Sequence, residues 1–143
     1  MAAATLTISA GEVDSLISNP SSVIGYSPTK NIVITGNITH TQATGLKAVT
    51  SPSITATVTQ TSVANLKAIQ VLSGRTNAFT LTTNDGTASA ADLNTIKSLT
   101  SVAPNFSSVT GITASLAADI KSLYAATNTT LGTETVIVSD ASV

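Results

Sequence analysis

The chain has 143 residues, of which 42% are hydrophobic, 3% aromatic and 9% charged, with a net charge of -1 at pH 7. That length suits one domain, or a short repeat array, burying roughly two thirds of its unfolded surface, around a core of small aliphatic side chains. Six basic residues against seven acidic ones, without a basic cluster, argue against nucleic acid as a partner. The lack of cysteine excludes disulfides, thiolate nucleophiles and cysteine-ligated zinc, and aliphatic runs such as 32–34 and 136–138 fall far short of the about 20 residues of a membrane span.

Serine and threonine make up about a third of the sequence and mean hydropathy is +0.35, so apolar and hydroxyl residues must carry the pattern. Met1-Ala2-Ala3-Ala4 lacks both the basic and the apolar segment of a secretory leader. The chain is therefore expected either not to use that route or to be an excised fragment. Leu6-Thr7-Ile8 alternates as a strand does, and Ser9-Ala10-Gly11-Glu12 fits a capping box before a helix carrying Val13 and Leu16. Pro20 stops that helix. Ile32-Val33-Ile34 forms the next strand, Thr41 the next cap and Leu46 and Val49 the next helical pair, stopped by Pro52. Ile54 to Val58 alternates again, followed by a cap at Thr61 or Ser62, by Leu66 and Ile69, and by a stop at Gly74. Phe79-Thr80-Leu81-Thr82 reads as the fourth strand, with a cap at Thr87 and a helix on Leu93 and Ile96 stopped by Pro104. In the fifth unit Ser107-Ser108-Val109 reads as the strand, Thr113 as the cap and Ile120 and Leu123 as the helical pair.

The first aliphatic residue of each helix recurs after 33, 20, 27 and 27 residues, a period of about 27 within the range of repeat proteins. Ile34, Ile54 and Leu81 each precede their helix's first aliphatic by twelve residues. The segment 136–143 aligns with 6–13, so the chain is expected to stop where a next helix begins, as part of a longer array. The fold expectation is an α/β right-handed solenoid of about five strand–helix repeats, with a parallel sheet on one side and short helices on the other. It forms one domain over 1–143, with units 4–30, 31–52, 53–77, 78–105 and 106–134 and a partial unit 135–143. Its core is expected to set Leu6, Ile8, Ile32, Ile34, Ile54, Val58, Phe79 and Leu81 against Val13, Leu16, Leu46, Val49, Leu66, Ile69, Leu93, Ile96, Ile120 and Leu123.

The run Ile34-Thr35-Gly36-Asn37-Ile38-Thr39, followed by Ala43-Thr44-Gly45-Leu46-Lys47-Ala48-Val49, returns as Val63-Ala64-Asn65-Leu66-Lys67-Ala68-Ile69 and Ala90-Ala91-Asp92-Leu93-Asn94-Thr95-Ile96. In composition and cadence this resembles the Thr/Ser/Ala-rich tandem repeats of very large surface or secreted proteins of marine cyanobacteria and related bacteria, over about two thirds of the chain. The resemblance implies an extended exported scaffold for adhesion, surface-layer formation or motility, with no catalytic residues to carry over. The Asp/Gly-rich calcium repeats that often accompany such proteins are absent, apart from a lone Asn84-Asp85-Gly86.

His40, the single histidine, lacks the nucleophile and orienting acid of a hydrolase in its sequence neighbourhood, so it reads as a loop residue. Asp14, Asp92 and Asp119 recur at equivalent places beside helix starts, which suits a helix dipole rather than a catalytic pair, and Lys47, Lys67 and Lys121 read as the solvated face. Asn84-Asp85-Gly86 is expected to be a turn, with calcium unsupported. Asn37-Ile38-Thr39 and Asn128-Thr129-Thr130 match the glycosylation pattern that a Thr-rich chain produces by chance. Tyr26 and Tyr124 read as packing residues with exposed hydroxyls. The one candidate binding face is a ladder of Thr55, Thr57, Thr59, Thr80 and Thr82, which reads as ordinary strand residues or as a surface for an ordered lattice or glycan. The functional expectation is a non-enzymatic structural segment at the cell surface or outside the cell. Its partners are neighbouring repeats, like chains or a surface glycan. A lattice- or glycan-binding module is the alternative and a small hydrolase comes last.

Overall fold

Alternating aliphatic and hydroxyl residues place one side of each strand inward, and short apolar helices close over that side. The computed structural model describes residues 2–125 and 130–140. In chain order it contains β1 (Thr5–Ser9), α1 (Val13–Ser18), β2 (Asn31–Ile38), α2 (His40–Gly45), β3 (Ser53–Val58), α3 (Val63–Lys67), β4 (Thr76–Thr80), β5 (Thr87–Ala88), α4 (Ala90–Ser98), β6 (Gly111–Ser115), α5 (Ala117–Ala125) and β7 (Thr135–Val138). Single 3-10 turns at Ala10–Glu12, Pro20–Ser22 and Leu46–Ala48 join or extend the helices. The chain is thus a mixed α/β protein with parallel sheets.

The strands form two sheets, where the sequence suggested one: β1-β2-β3-β4 and β5-β6-β7, parallel throughout. The break follows β4. It ends at Thr80, ten residues before α4, and the intervening chain makes only isolated bridges, Thr82 with Asn105 and Thr83 with Thr61, before β5 starts the second sheet. Thr5 pairs with Asn31, Ile32 with Ile54, Ser53 with Thr76, Thr87 with Gly111 and Gly111 with Thr135. Neighbouring strands therefore lie 26, 22, 23, 24 and 24 residues apart, less than the spacing of 27 read from the later helices.

The aliphatic pairs correct instead the longest expected helix spacing, the 33 residues from Val13 to Leu46. Val13 and Leu16, Ala43 and Leu46, Val63 and Leu66, and Ala90 and Leu93 are buried three residues apart on their helices. Leu46 therefore answers to Leu16 rather than to Val13. The inward alanines, weakly hydrophobic and small, concealed this phase. Most of the expected core is buried, with Leu6 and Ile120 only partly so, while Ile38, Val63, Phe106, Val109 and Ile112 belong to it as well. Successive helices pack side by side, α1 on α2, α3 on α4 and α4 on α5. Gly45 permits the first of these contacts, because a Cβ there would stand 2.7 Å from Ile17 Cδ1.

Three local expectations are corrected. The fourth strand covers Thr76–Thr80 rather than 79–82, because its inward positions begin with polar Arg75 and Asn77, which hide the alternation. The fifth strand is β6 at Gly111–Ser115, while 107–109 lies in a turn whose Ser108 hydroxyl donates to the carbonyls of Thr83 and Asp85. The caps belong to Thr39 and Ser89, not Thr41 and Thr87, and Thr113 lies within β6, because threonine suits a strand as well as a cap. Ser62 caps α3 as expected, and Glu12 Oε2 closes the first capping box by accepting the Ser9 amide at 2.8 Å.

Leu93 is fully buried between sheet and helix layer. Leu93→Ala is expected to destabilise the protein by about 2–5 kcal/mol, read as a lower urea midpoint. The hydrogen bonds from the Ser9 amide and hydroxyl hold the Glu12 carboxyl below its ordinary range. A carboxyl depressed in the folded state adds stability above its unfolded pKa and loses it as pH falls through the folded value. Urea midpoints measured from neutral to acid pH should therefore fall less steeply for Glu12→Gln than for the parent chain.

Candidate functional site

The outward side of β1–β4 carries the threonine ladder. Thr55, Thr57, Thr59 and Thr80 are exposed and Thr82 is half-buried. Register brings Thr57 beside Thr80, but it sets Thr55 between Val33 and Ala78. Thr59 follows the end of β3, its amide bound to the Ile38 carbonyl, and Thr82 bridges to Asn105. The five candidates therefore form one adjacent threonine pair rather than continuous rows. Between Val33 and Asn37 the register of β2 shifts, around Gly36 with φ +84°, so the surface is interrupted at its second strand. The positions paired across it, Thr5-Asn31, Ser53-Thr76 and Thr7-Val33-Thr55-Ala78, carry no charge.

A second feature follows from helix ends. The first amides of a helix have no partner within it and require one from outside. Ser62 Oγ accepts the Asn65 amide, and Asp85 Oδ2, from the following strand segment, accepts the Val63 amide at 2.8 Å. In α4, Ser89 Oγ accepts the Asp92 amide, and Ser115 Oγ at the end of β6 accepts the Ala90 amide at 2.9 Å. In α5, both carboxylate oxygens of Asp140 accept the Ala117 amide at 3.1 Å. Each of these three helices is thus capped by a side chain 22, 25 or 23 residues further along the chain. Asp85 makes its Asn84-Asp85-Gly86 segment more than a turn. Sequence reading missed the relation because each cap is far in sequence from its helix. The recurring spacing of acceptors from helix starts was the available signal.

The helix surfaces continue this linkage. Lys67 Nζ pairs with Asp92 Oδ1 at 2.9 Å, Lys47 Nζ donates to Gln70 Oε1, Gln42 Nε2 to Asp14 Oδ1 and Asn94 Nδ2 to the Asp119 carbonyl. Asp14, Asp92 and Asp119 each lie in the first turn of their helix. Lys97 Nζ reaches the carbonyls of Ser122 and Leu123, and burial lowers its pKa.

Arg75 is the strongest polar feature that sequence reading overlooked. It is 8% exposed; Nη1 donates to the carbonyls of Leu46 and Val49 at 2.9 and 2.8 Å, and Nε to Asn77 Oδ1 at 2.8 Å. Burial lowers its pKa. The guanidinium thereby satisfies carbonyls at the end of the α2 segment, where the helix dipole also favours a cation. Nη2 has no partner among the described residues. Beside Arg75, Thr76 and Asn77 and facing Ser98 to Ser101 lies an open cleft of about 310 Å3. Its hydroxyls serve the backbone: Thr100 Oγ1 bonds both the amide and the carbonyl of Phe79, and Ser98 Oγ donates to the Thr95 carbonyl.

His40 is the first residue of α2 and half-buried. Among the described residues no three histidine or acidic side chains come close enough to hold a metal ion. Tyr26 packs on the core and donates its hydroxyl to the Thr50 carbonyl, while the Tyr124 hydroxyl meets Glu134. Asn37 is exposed on β2; Asn128 and Thr129 of the second glycosylation pattern lie outside the described residues. No described helix is long and apolar enough to cross a membrane. Comparison of the chain with protein-family models, curated proteins and solved structures gives no match.

Asp85→Ala and Ser115→Ala should each cost about 1 kcal/mol, the usual worth of a helix cap, and should lower the thermal midpoint. Asn84→Ala, one residue from the Asp85 cap, serves as the control with an unchanged midpoint.

Proposed function

We propose that the chain is a structural segment of an extended cell-surface or secreted bacterial protein, an adhesion, surface-layer or motility scaffold without catalysis. In this reading it is a right-handed β/α solenoid of about five strand–helix units over 1–143, with a sixth begun at 135–143. The observation that carries the proposal is the forward capping of α3, α4 and α5 by Asp85, Ser115 and Asp140, each from the unit that follows. A segment whose helices are completed by their successors is suited to extension along one axis, and nearest-neighbour stacking of this kind stabilises repeat arrays. Low charge lets such units stack without mutual repulsion.

The threonine surface serves here as an uncharged solubilising face. A lattice or glycan ligand would require rows that continue past β2, where the register shift interrupts them. Partners are neighbouring repeats or like chains. An immunoblot of fractionated source cells, with antibody against this segment, should show a band far above 14.3 kDa in the envelope or the medium. A band near 14.3 kDa in the cytosol overturns the proposal.

A further inference from the structure

Asp85 is the one acidic residue of the chain that glycine follows. Asp14, Asp92 and Asp119 sit within helices, where the backbone is fixed, and Asp140 precedes alanine. Asp85 lies instead in the irregular segment between β4 and β5, half-buried, with Asn84 and Gly86 exposed on either side. The Gly86 carbonyl accepts the amides of Thr110 and Gly111 at 2.8 and 3.3 Å, but its own amide donates to no acceptor among the described residues. A Cβ at Gly86 would meet no atom within 4 Å. The Gly86 nitrogen is therefore open to approach, with no side chain of its own in the way, and the nearest electrophilic carbon along the chain outside the backbone is Cγ of Asp85.

We propose that Asp85–Gly86 is a site of spontaneous conversion to isoaspartate, gated by the hydrogen bond from the Val63 amide to Asp85. In the first step the Gly86 nitrogen forms a bond to Asp85 Cγ, one carboxyl oxygen leaves as water with the amide proton and a proton from solvent, and a succinimide ring results. Water then adds to the main-chain carbonyl carbon of Asp85 and the bond from that carbon to the Gly86 nitrogen breaks, so that the chain continues through Cβ and Cγ. Overall no atom is gained or lost, and water is the only co-reactant. The fold opposes the first step. For Cγ to reach the Gly86 nitrogen, the carboxylate must leave the Val63 amide, which it meets at 2.8 Å, while the Asp85 amide is tied to Thr83 Oγ1 and its carbonyl to Ser108 Oγ. Conversion in turn removes the cap. The isoaspartyl carboxylate sits directly on Cα, too short for Val63, and the main chain is one carbon longer where it enters β5, whose Thr87 and Ala88 pair with Gly111 and Ile112. A transient loss of the α3 cap is thereby made permanent. The site goes beyond the scaffold reading and does not depend on it, since it needs only the contact between Asp85 and Val63.

Incubated at neutral pH, the folded chain should form isoaspartate at Asp85 severalfold more slowly than the same chain in urea. The product is read after digestion as a second chromatographic peak of unchanged mass and as a methyl acceptor for an isoaspartyl methyltransferase. Val63→Pro removes the gating amide at the first position of α3, where proline is favoured, and behind Ser62, whose ψ of 156° already suits a residue before proline. It should raise the rate severalfold while leaving the circular dichroism spectrum unchanged. Gly86→Ala, for which there is room, should suppress the reaction. Asp85→Asn gives a reading that does not depend on the proline: its amide oxygen accepts the same hydrogen bond, ring closure expels ammonia, and the resulting mass gain should appear severalfold faster in urea than in the folded chain. Equal rates for the parent and a folded Val63→Pro chain overturn the proposal. So do equal rates for Asp85→Asn folded and in urea, or isoaspartate formed elsewhere in preference to Asp85.

Discussion

Helix ends set the terms of this structure. The helices have five to nine residues, below the about 12–15 at which an isolated helix becomes even marginally stable, and so short a helix keeps a large share of its amides without internal partners. Local hydroxyls at Thr39, Ser62 and Ser89 supply one acceptor each, and the first amides of α3 and α4 are bound by Asp85, just before β5, and by Ser115, at the end of β6. Capping and stacking are consequently one event. In α3, α4 and α5 the first amide finds its acceptor only when the following segment of chain is in place.

The rest of the polar chemistry follows the same direction. With few charges available, the chain uses hydroxyls, amides and, among the described residues, one ion pair to join neighbours. Arg75 is the exception in charge but not in purpose. Its guanidinium is carried into the interior to hold the carbonyls of Leu46 and Val49, tying the end of one helix to a strand almost thirty residues later. The scaffold proposal places function in repetition rather than in a pocket. The cleft next to Arg75 has hydroxyls already committed to backbone groups, and the threonine face loses its order at the Gly36 bulge.

Much of the fold was legible because strand and helix have different periods. Ile8, Ile54 and Val58 alternate with hydroxyl residues, Ile32 and Ile34 flank Val33, and all five are buried, while the helical Leu16, Leu46, Leu66 and Leu93 occupy the core that their spacing implies. Legibility failed where an inward position was not strongly apolar. Ala43 and Ala90 hid the phase of their helices, and Arg75 and Asn77 hid the start of β4. The candidate face was legible residue by residue, since four of its five threonines are exposed and the fifth half-buried. Its arrangement was not, because adjacency across a sheet depends on register, and the shift in β2 has no local sequence mark beyond Gly36.

The sequence by itself determined that this protein would be a parallel α/β structure with an aliphatic core, short helices and no thiol chemistry, since composition and periodicity act on every residue locally. Only the tertiary structure decided that the strands divide into two sheets and that Asp85, Ser115 and Asp140 accept amides of helices other than their own. Those features arise from groups 20 or more residues apart meeting in space. A local pattern specifies which face a side chain takes, but the partner it finds there is set by how the chain returns.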